Sequence, residues 1–313
     1  MKKLDLKVGF SCNNNCIFCA QAHRRNQTDN SFEELVQEME QGYSDGCTQI
    51  VFTGGEPTVR DDILDLVRKA DSIGFRDIQI QTNGRMFYYR EFCEKMIEAG
   101  ATEFSPALHG HTAEIHEAGT RAKGSFEQTY QGIKNLVELD QYVLTNTVIN
   151  KFNYEHLPEI ADMLLDLGVS QIQFAFVHPC GNAWKNFKKV VPRKSDAEPY
   201  IHEALDRIDE DDQDIRVMVE AYPYCFMEGY EDRVSQLYIP PGEIRGQEEI
   251  VEDFETVRQE ADKVKAPKCR DCRFFKVCEG PWKEYPQVYG FDEFEPVEGE
   301  EVESKEDVLG GNI

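Results

Sequence analysis

The chain has 313 residues, with 34 lysines and arginines against 59 aspartates and glutamates, a formal net charge of −25. That balance repels phosphate backbones and anionic bilayers, so nucleic-acid and membrane-surface binding are disfavoured. At 40% hydrophobic, with 19 Phe and 13 Tyr, the chain can bury a core of ordinary size and is not disordered as a whole. Residues 4–10 read as a first strand. Ser31 is a good N-cap, with Glu33 and Glu34 in the first turn of a helix that runs to Tyr43 and stops near Gly46. Residues 49–53 form the next strand, followed by a glycine turn and a helix over 61–73. Strand 77–81 ends in Asn83-Gly84, and a helix covers 90–98. Strand 103–108, helix 125–136, strand 142–148, helix 156–167 and strand 171–177 complete the run.

Six βα-type units with short connections mean a parallel sheet with right-handed crossovers. An open doubly wound sheet and a full or partial βα barrel both satisfy the pattern. Either way, chemistry belongs at the carboxyl ends of the strands. Beyond residue 177 the pattern loosens: a helix over 194–208, an acidic loop at 209–214, a strand over 215–221, and an irregular stretch over 222–268 turning at Pro240-Pro241-Gly242. From residue 292 onward nine acids face one lysine, which reads as a disordered tail. The divisions expected are a barrel core over 1–208, a cysteine-rich region over 209–290, and the tail over 291–313. No run of about 18 apolar residues is present, and the first residues lack the apolar stretch of a secretory signal. Ten cysteines without an export signal point to a cytoplasmic chain whose thiols serve metal or redox chemistry. Arg24, Arg25, Lys188 and Lys189 are the local basic pairs, and they read as solvated surface.

Residues 12–19 read CNNNCIFC. Cys12, Cys16 and Cys19 can converge on one centre from a single loop, and thiolates select zinc or an iron–sulfur cluster. Structural zinc prefers four ligands, and no fourth stands nearby; three thiols on a [4Fe–4S] cube leave one iron open. A C-x3-C-x2-C loop after a first strand, with an aromatic (Phe18) before the third cysteine, resembles the radical S-adenosylmethionine (SAM) superfamily. The resemblance implies a partial (β/α)6 TIM-like barrel with a small cysteine-rich C-terminal subdomain. It also implies a [4Fe–4S] cluster whose open iron chelates SAM. Reductive cleavage of SAM would give methionine and a 5′-deoxyadenosyl radical that abstracts hydrogen from a substrate. A flavodoxin or ferredoxin would supply the electron.

Further SAM contacts follow from the same resemblance. About 35 residues beyond the cysteines comes Thr53-Gly54-Gly55-Glu56-Pro57, similar to the GGE motif that holds the SAM amino group. Asn83 is either a ligand contact or a simple Asn-Gly turn. Relatives often carry Ser where Ala107 stands, and Ser105, on the same face by period two, is the candidate substitute. Asn146 resembles the Asn-x-Val strand of the branch containing molybdenum cofactor biosynthesis protein A. Val177 falls at the usual adenine contact. His109, His111 and His116 resemble a loop common in the family, with a zinc site as the alternative.

Residues 269–278 read CRDCRFFKVC. Cys269, Cys272 and Cys278 again demand a metal, and the aromatic-rich segment after them resembles SPASM and twitch extensions that hold auxiliary [4Fe–4S] clusters. Where the SPASM pattern would place a further cysteine, this chain has Trp282. A fourth ligand is expected from Cys225, with Cys180 as the second choice; zinc is the competing metal. Cys47 and Cys93 read as buried thiols. Cys180, if not a ligand, stands at the mouth of the site as a hydrogen or thiolate donor, or as an ordinary loop cysteine. The expected substrate is a peptide, with a small metabolite as the alternative. An electron-transfer iron–sulfur protein would explain both clusters but not the glycine motif or the six βα units, and a zinc-stabilised binding module would explain neither the three-ligand loop nor the cavity-forming strand ends.

Overall fold

The computed structural model describes residues 2–211, 213, 215–246 and 249–310. Nine strands form one sheet in the order β7-β6-β5-β4-β3-β2-β1-β8-β9. The strands β1 (Lys2–Lys7), β2 (Cys47–Thr53), β3 (Asp77–Thr82), β4 (Glu103–Pro106), β5 (Tyr142–Ile149), β6 (Gln171–Phe176) and β7 (Arg216–Glu220) pair in parallel, each with the next. On the other side of β1 lie β8 (Gly242–Gly246), also parallel, and β9 (Glu249–Val251), antiparallel to β8. Among the described residues the sheet does not close, so the architecture is a partial barrel, as expected. The irregular stretch expected over 222–268 therefore contains two strands. Neither has apolar alternation: Arg245 of β8 is held instead by Glu243, Glu38 and Asp45.

Helices cover the outside: α1 (Phe32–Ser44), α2 (Ile63–Ile73), α3 (Arg90–Glu98), α4 (Ala113–Thr120), α5 (Ser125–Glu138), α6 (Leu157–Leu167), α7 (Gly181–Lys185), α8 (Phe187–Val190) and α9 (Lys194–Glu210). The first begins in a complete capping box. The Ser31 hydroxyl accepts from Glu34 N at 3.2 Å, and the Glu34 carboxylate accepts from Ser31 N at 2.8 Å. Strand periodicity sorts the two faces. Leu4, Leu6, Ile50, Phe52, Ile78, Ile80, Phe104, Ile172 and Phe174 are buried in the apolar core. Alternate positions, among them Asp5, Gln79, Gln81, Ser105, Asn146, Gln173 and Glu220, line a polar cavity within the barrel. The sheet is thus apolar on one face and polar on the other, and the polar face leads up to the strand ends.

The acidic C-terminal segment departs from expectation. Residues 292–310 are ordered, with Phe294, Val302 and Val308 buried and a short helix at Lys305–Leu309. These apolar residues stand next to acids in sequence, and each is buried in the packed region. Backbone bonds join Arg273 N to Val297 O and Val302 N to Arg273 O, and Lys276 pairs with Glu301 and Glu303. The last residues of this segment, and part of the acidic loop expected at 209–214, lie outside the described residues.

Candidate active site and second thiol cluster

A cavity of about 470 Å3 opens at the carboxyl ends of the strands. Its wall includes Cys12, Cys16, Cys19, Phe18, Gly54, Gly55, Asn83, Asn146 and Val177, nine of the residues singled out from sequence. The loop that carries the three thiols is fixed from several directions. Ile17 N donates to Gly119 O and Asn15 N to Thr120 O, at the end of α4. Arg85 Nη1 reaches Asn13 O at 2.5 Å, Arg121 Nε reaches Asn15 O at 2.6 Å, and Asn182 Nδ2 reaches Cys16 O at 3.1 Å. The run of three asparagines thus hands its backbone and side-chain oxygens to neighbouring elements. Burial pushes the Cys16 thiol up to about 12, with Cys19 and Cys12 adding to the shift, and burial raises Cys12 as well. Three thiols this close need a cation to ionise together. The donor set and the open cavity beside it fit a three-thiolate metal centre. Asn146 Oδ1, buried and without a hydrogen-bond partner among the described residues, leaves an acceptor for a bound molecule.

Gly54 has φ +124°, and a Cβ there would stand 2.3 Å from Gly9 O; one on Gly55 would stand 2.3 Å from Ser11 O. The glycines let the end of β2 lie directly on the backbone leading to Cys12. Glu56 differs from its expected part. Its side chain does not line the cavity; it is buried and accepts from Thr58 N, Thr58 Oγ1, Thr82 Oγ1 and Asn83 N at 2.5–3.1 Å. It ties β2 to the end of β3, where Asn83 donates to Asn13 Oδ1 at 2.6 Å. Ser105 also differs. It lines the polar cavity deeper in the barrel, whereas Ala107 is on the wall beside the thiols. Two residues along a strand is about 6.6 Å of depth, enough to move a side chain from one level to the next.

The three histidines after β4 separate. Phe18 meets His109 edge-on at 4.9 Å, and His109 stacks on His116 at 5.6 Å. His109 Nδ1 accepts from Val148 N, and His116 Nδ1 accepts from His109 N. Burial holds His109 near 4 and His116 well below its ordinary value, so both are neutral packing groups. His111 points elsewhere, toward His156, with ring centres 5.2 Å apart.

The cysteines of the second group lie together. Cys225, Cys269, Cys272 and Cys278 line one small cavity with Phe275, Phe294 and Pro281. Gly280 N donates to Cys278 Sγ at 3.3 Å and Val297 N to Cys272 Sγ at 3.4 Å. Four thiols in an apolar pocket with backbone donors aimed at sulfur fit a four-thiolate centre, zinc or iron–sulfur. Cys180 is elsewhere, 3.9 Å from Ala20 O, its thiol pushed up to about 12 by burial. It lines neither thiol cavity.

Several site residues carry no signal that sequence reasoning used. Gly181 has φ +54°, and a Cβ there would stand 2.1 Å from Ala20 O, so α7 starts against the thiol loop. Trp282 stacks on His178 at 3.8 Å, with Lys263 Nζ 3.5 Å from the Trp282 ring, and both aromatic rings line the upper cavity. Trp282, at the position where the SPASM pattern has a cysteine, thus contributes a wall of the first site.

Residues 6–164, half of the chain, match the family model described as the Radical SAM superfamily. The chain belongs to the radical SAM superfamily. Membership carries the [4Fe–4S] cluster and SAM that the thiol loop implied. This radical SAM chain is 28% identical over 192 residues to a protein named "Probable GTP 3',8-cyclase" from Saccharolobus islandicus, covering 59% of this chain and 60% of that one. A protein of the same name from Sulfurisphaera tokodaii is 26% identical over 209 residues, 66% of each chain. The chain thus spans about 60% of the first of these relatives. Among solved structures, Streptococcus suis SuiB bound to S-adenosylmethionine superposes with a TM-score of 0.67 at 16% identity, covering 89% of this chain and 72% of SuiB. SuiB bound to precursor peptide SuiA gives 0.66 at 16%, covering 89% and 71%. These superpositions establish the shared fold through the C-terminal region as well as the barrel. Among the described residues no helix is long and apolar enough to cross a membrane.

Proposed function

We propose that the chain is an enzyme that cleaves SAM reductively and abstracts a hydrogen atom from a peptide. When bound, a reduced [4Fe–4S] cluster carrying SAM supplies a 5′-deoxyadenosyl radical as the abstracting agent. Cys12, Cys16 and Cys19 would hold the cluster. Phe18 and Val177 would flank the adenine, Gly54 and Gly55 would offer backbone close to the methionine end, and Asn83 and Asn146 would supply polar contacts. Glu56 acts one step removed, by fixing Asn83. Trp282 and His178 narrow the cavity and limit water. Cys225, Cys269, Cys272 and Cys278 would hold a second [4Fe–4S] cluster, and a flavodoxin or ferredoxin would be the reductant. The observation that carries this reading is the placement of three thiols and the Gly54-Gly55 backbone on one cavity wall in a radical SAM chain.

The test is anaerobic reconstitution with iron and sulfide, reduction, addition of SAM, and assay of 5′-deoxyadenosine. Formation no greater than in a variant with all three loop cysteines changed to Ala would overturn the reading. About eight irons per chain are expected for two clusters, and about four if only the first exists.

The peptide assignment is supported by the charge of the chain as a whole. The polar cavity inside the barrel is balanced, with Lys3 and Arg258 facing Asp5 and Glu220, and Arg258 paired with Glu220 and Glu279. The chain's net charge of −25 disfavours a triphosphate or another polyanion. A small metabolite is the second reading, favoured by the name that the curated relatives carry. Mass spectrometry after incubation with peptides encoded nearby, and separately with GTP, distinguishes the two by which one changes mass.

A further inference from the structure

The β4–α4 connection and the turn that opens α6 place two imidazoles and a carboxylate side by side, outside both thiol clusters. One ligand atom each from His111, His156 and Glu159 lies within 4.8 Å of the other two. His156 and Glu159 are three residues apart at the start of α6 and share a face. His111 arrives from the other segment. Its Nδ1 and the Oε2 of Glu159 are both sealed from solvent and have no hydrogen-bond partner among the described residues.

The two segments are locked together beneath these side chains. Asn153, fully buried, donates through Nδ2 to His109 O and to Val148 O, both at 3.0 Å. Its Oδ1 accepts from Asn150 N at 2.8 Å, and Asn150 Oδ1 accepts from Phe152 N at 2.9 Å. Thr147 Oγ1 donates to Leu108 O at 2.6 Å. The relative positions of His111 and His156 are therefore set by buried polar bonds rather than by the rings themselves.

We propose that His111, His156 and Glu159 bind one divalent transition ion of the zinc type, with water completing the shell. Two imidazoles and one carboxylate are a common zinc donor set, and imidazole selects zinc-like ions over calcium or magnesium. Tetrahedral ligands about 2.0–2.1 Å from zinc stand roughly 3.4 Å apart. The present spacing closes by rotation of His156 and Glu159, whose side chains are 41% and 45% exposed and free to turn. The competing arrangement is a simple ion pair between His156 and Glu159, already 3.9 Å apart. An exposed pair of that kind contributes little, and it leaves His111 Nδ1 buried without a partner. Filled, the site would pin the connection that carries His109, the ring against Phe18 on the wall of the first cavity. It rests on none of the SAM chemistry proposed above.

The experiment uses the iron-loaded full chain, so that both thiol sites are occupied. The protein is equilibrated with zinc chloride, passed through a desalting column, and analysed for zinc and iron together. About one zinc per chain is expected in the wild type, with at least a tenfold loss of occupancy at limiting zinc in His156→Gln and Glu159→Gln. Iron content should be unchanged in both. Because both side chains are exposed, these variants keep the fold, and circular dichroism checks that they do. Zinc should also raise the thermal midpoint of the wild type and not that of His156→Gln. Equal zinc in wild type and both variants, or no zinc retained by the wild type, would overturn the site.

Discussion

In the barrel, strand and helix alternate from β1 to β6 and the backbone is paired largely by regular structure. In residues 222–310 regular elements are short, and side chains take over: Tyr224 stacks on Phe274 at 4.6 Å, and Phe294 meets Phe226 and Tyr285 edge-on. The barrel's order is spread over many replaceable contacts. The C-terminal region's order is concentrated in a few aromatic rings and four thiols, and a bound metal there would be folding free energy for the whole segment. The two regions should respond differently to damage.

The largest contrast is expected between single thiols of the two clusters. Cys16→Ala should reduce 5′-deoxyadenosine formation to background. Cys272→Ala should keep a measurable part of it while losing substrate conversion. Equal loss in two folded variants would dissolve the division of labour. Next, Phe294→Ala should cost about 4 kcal/mol by leaving a cavity among Phe226, Tyr285 and the thiols. Iron counting should show its loss concentrated in the second cluster; unchanged iron with unchanged stability would mean that this region is held by something other than its rings.

A smaller effect concerns pH. Burial, with Lys263 adding to it, holds His178 near 4, below its ordinary 6.5. The folded form excludes a proton that the unfolded chain accepts, so this contribution is full above pH 6.5 and is lost as pH falls from 6.5 to 4. It amounts to about 3 kcal/mol at most. His178→Phe should flatten urea midpoints across that window by about one proton; an unaltered slope would move the acid sensitivity to His109 and His116. Least of all, Ser31→Ala should cost about 1 kcal/mol through the lost cap of α1. The thermal midpoint should fall without change in iron content, a disturbance confined to the barrel.

The barrel was legible from sequence because its signals are local. Apolar periodicity, Ser31 as a cap and glycines at turns act within a few residues, and helix 90–98 was placed to the residue. The thiol loops were legible because three cysteines in eight or ten residues have few other uses. What escaped was decided at a distance. Strand β8 owes its place to β1 and to carboxylates on and beside α1, and its own five residues alternate poorly. The acidic tail was read by composition, which counts charges and overlooks three apolar residues that find a surface. Glu56 lies in a motif, yet its partners, Thr82 and Asn83, come from the next strand. Asn182 and Gly181 touch the thiol loop from more than 160 residues away, and no spacing rule reaches that far.

Lys194 bears on how this chain could be divided or recombined. Its side-chain nitrogen is fully buried, 3.4 Å from the centre of the Phe176 ring on β6, and also faces Tyr222 and Tyr285; burial pushes its pKa well below the ordinary lysine value. It donates to Ala221 O at 2.8 Å, while its backbone N donates to the hydroxyl of Tyr285, which in turn donates to Glu293. An amine caged by rings from both sides makes the seam between them a shared possession. A graft of another C-terminal extension onto this barrel would have to bring its own Tyr285 and Glu293 equivalents, or leave the buried Lys194 backbone and side chain without their partners. A division of the chain at residue 210 would part Lys194 from Ala221, Tyr222 and Tyr285.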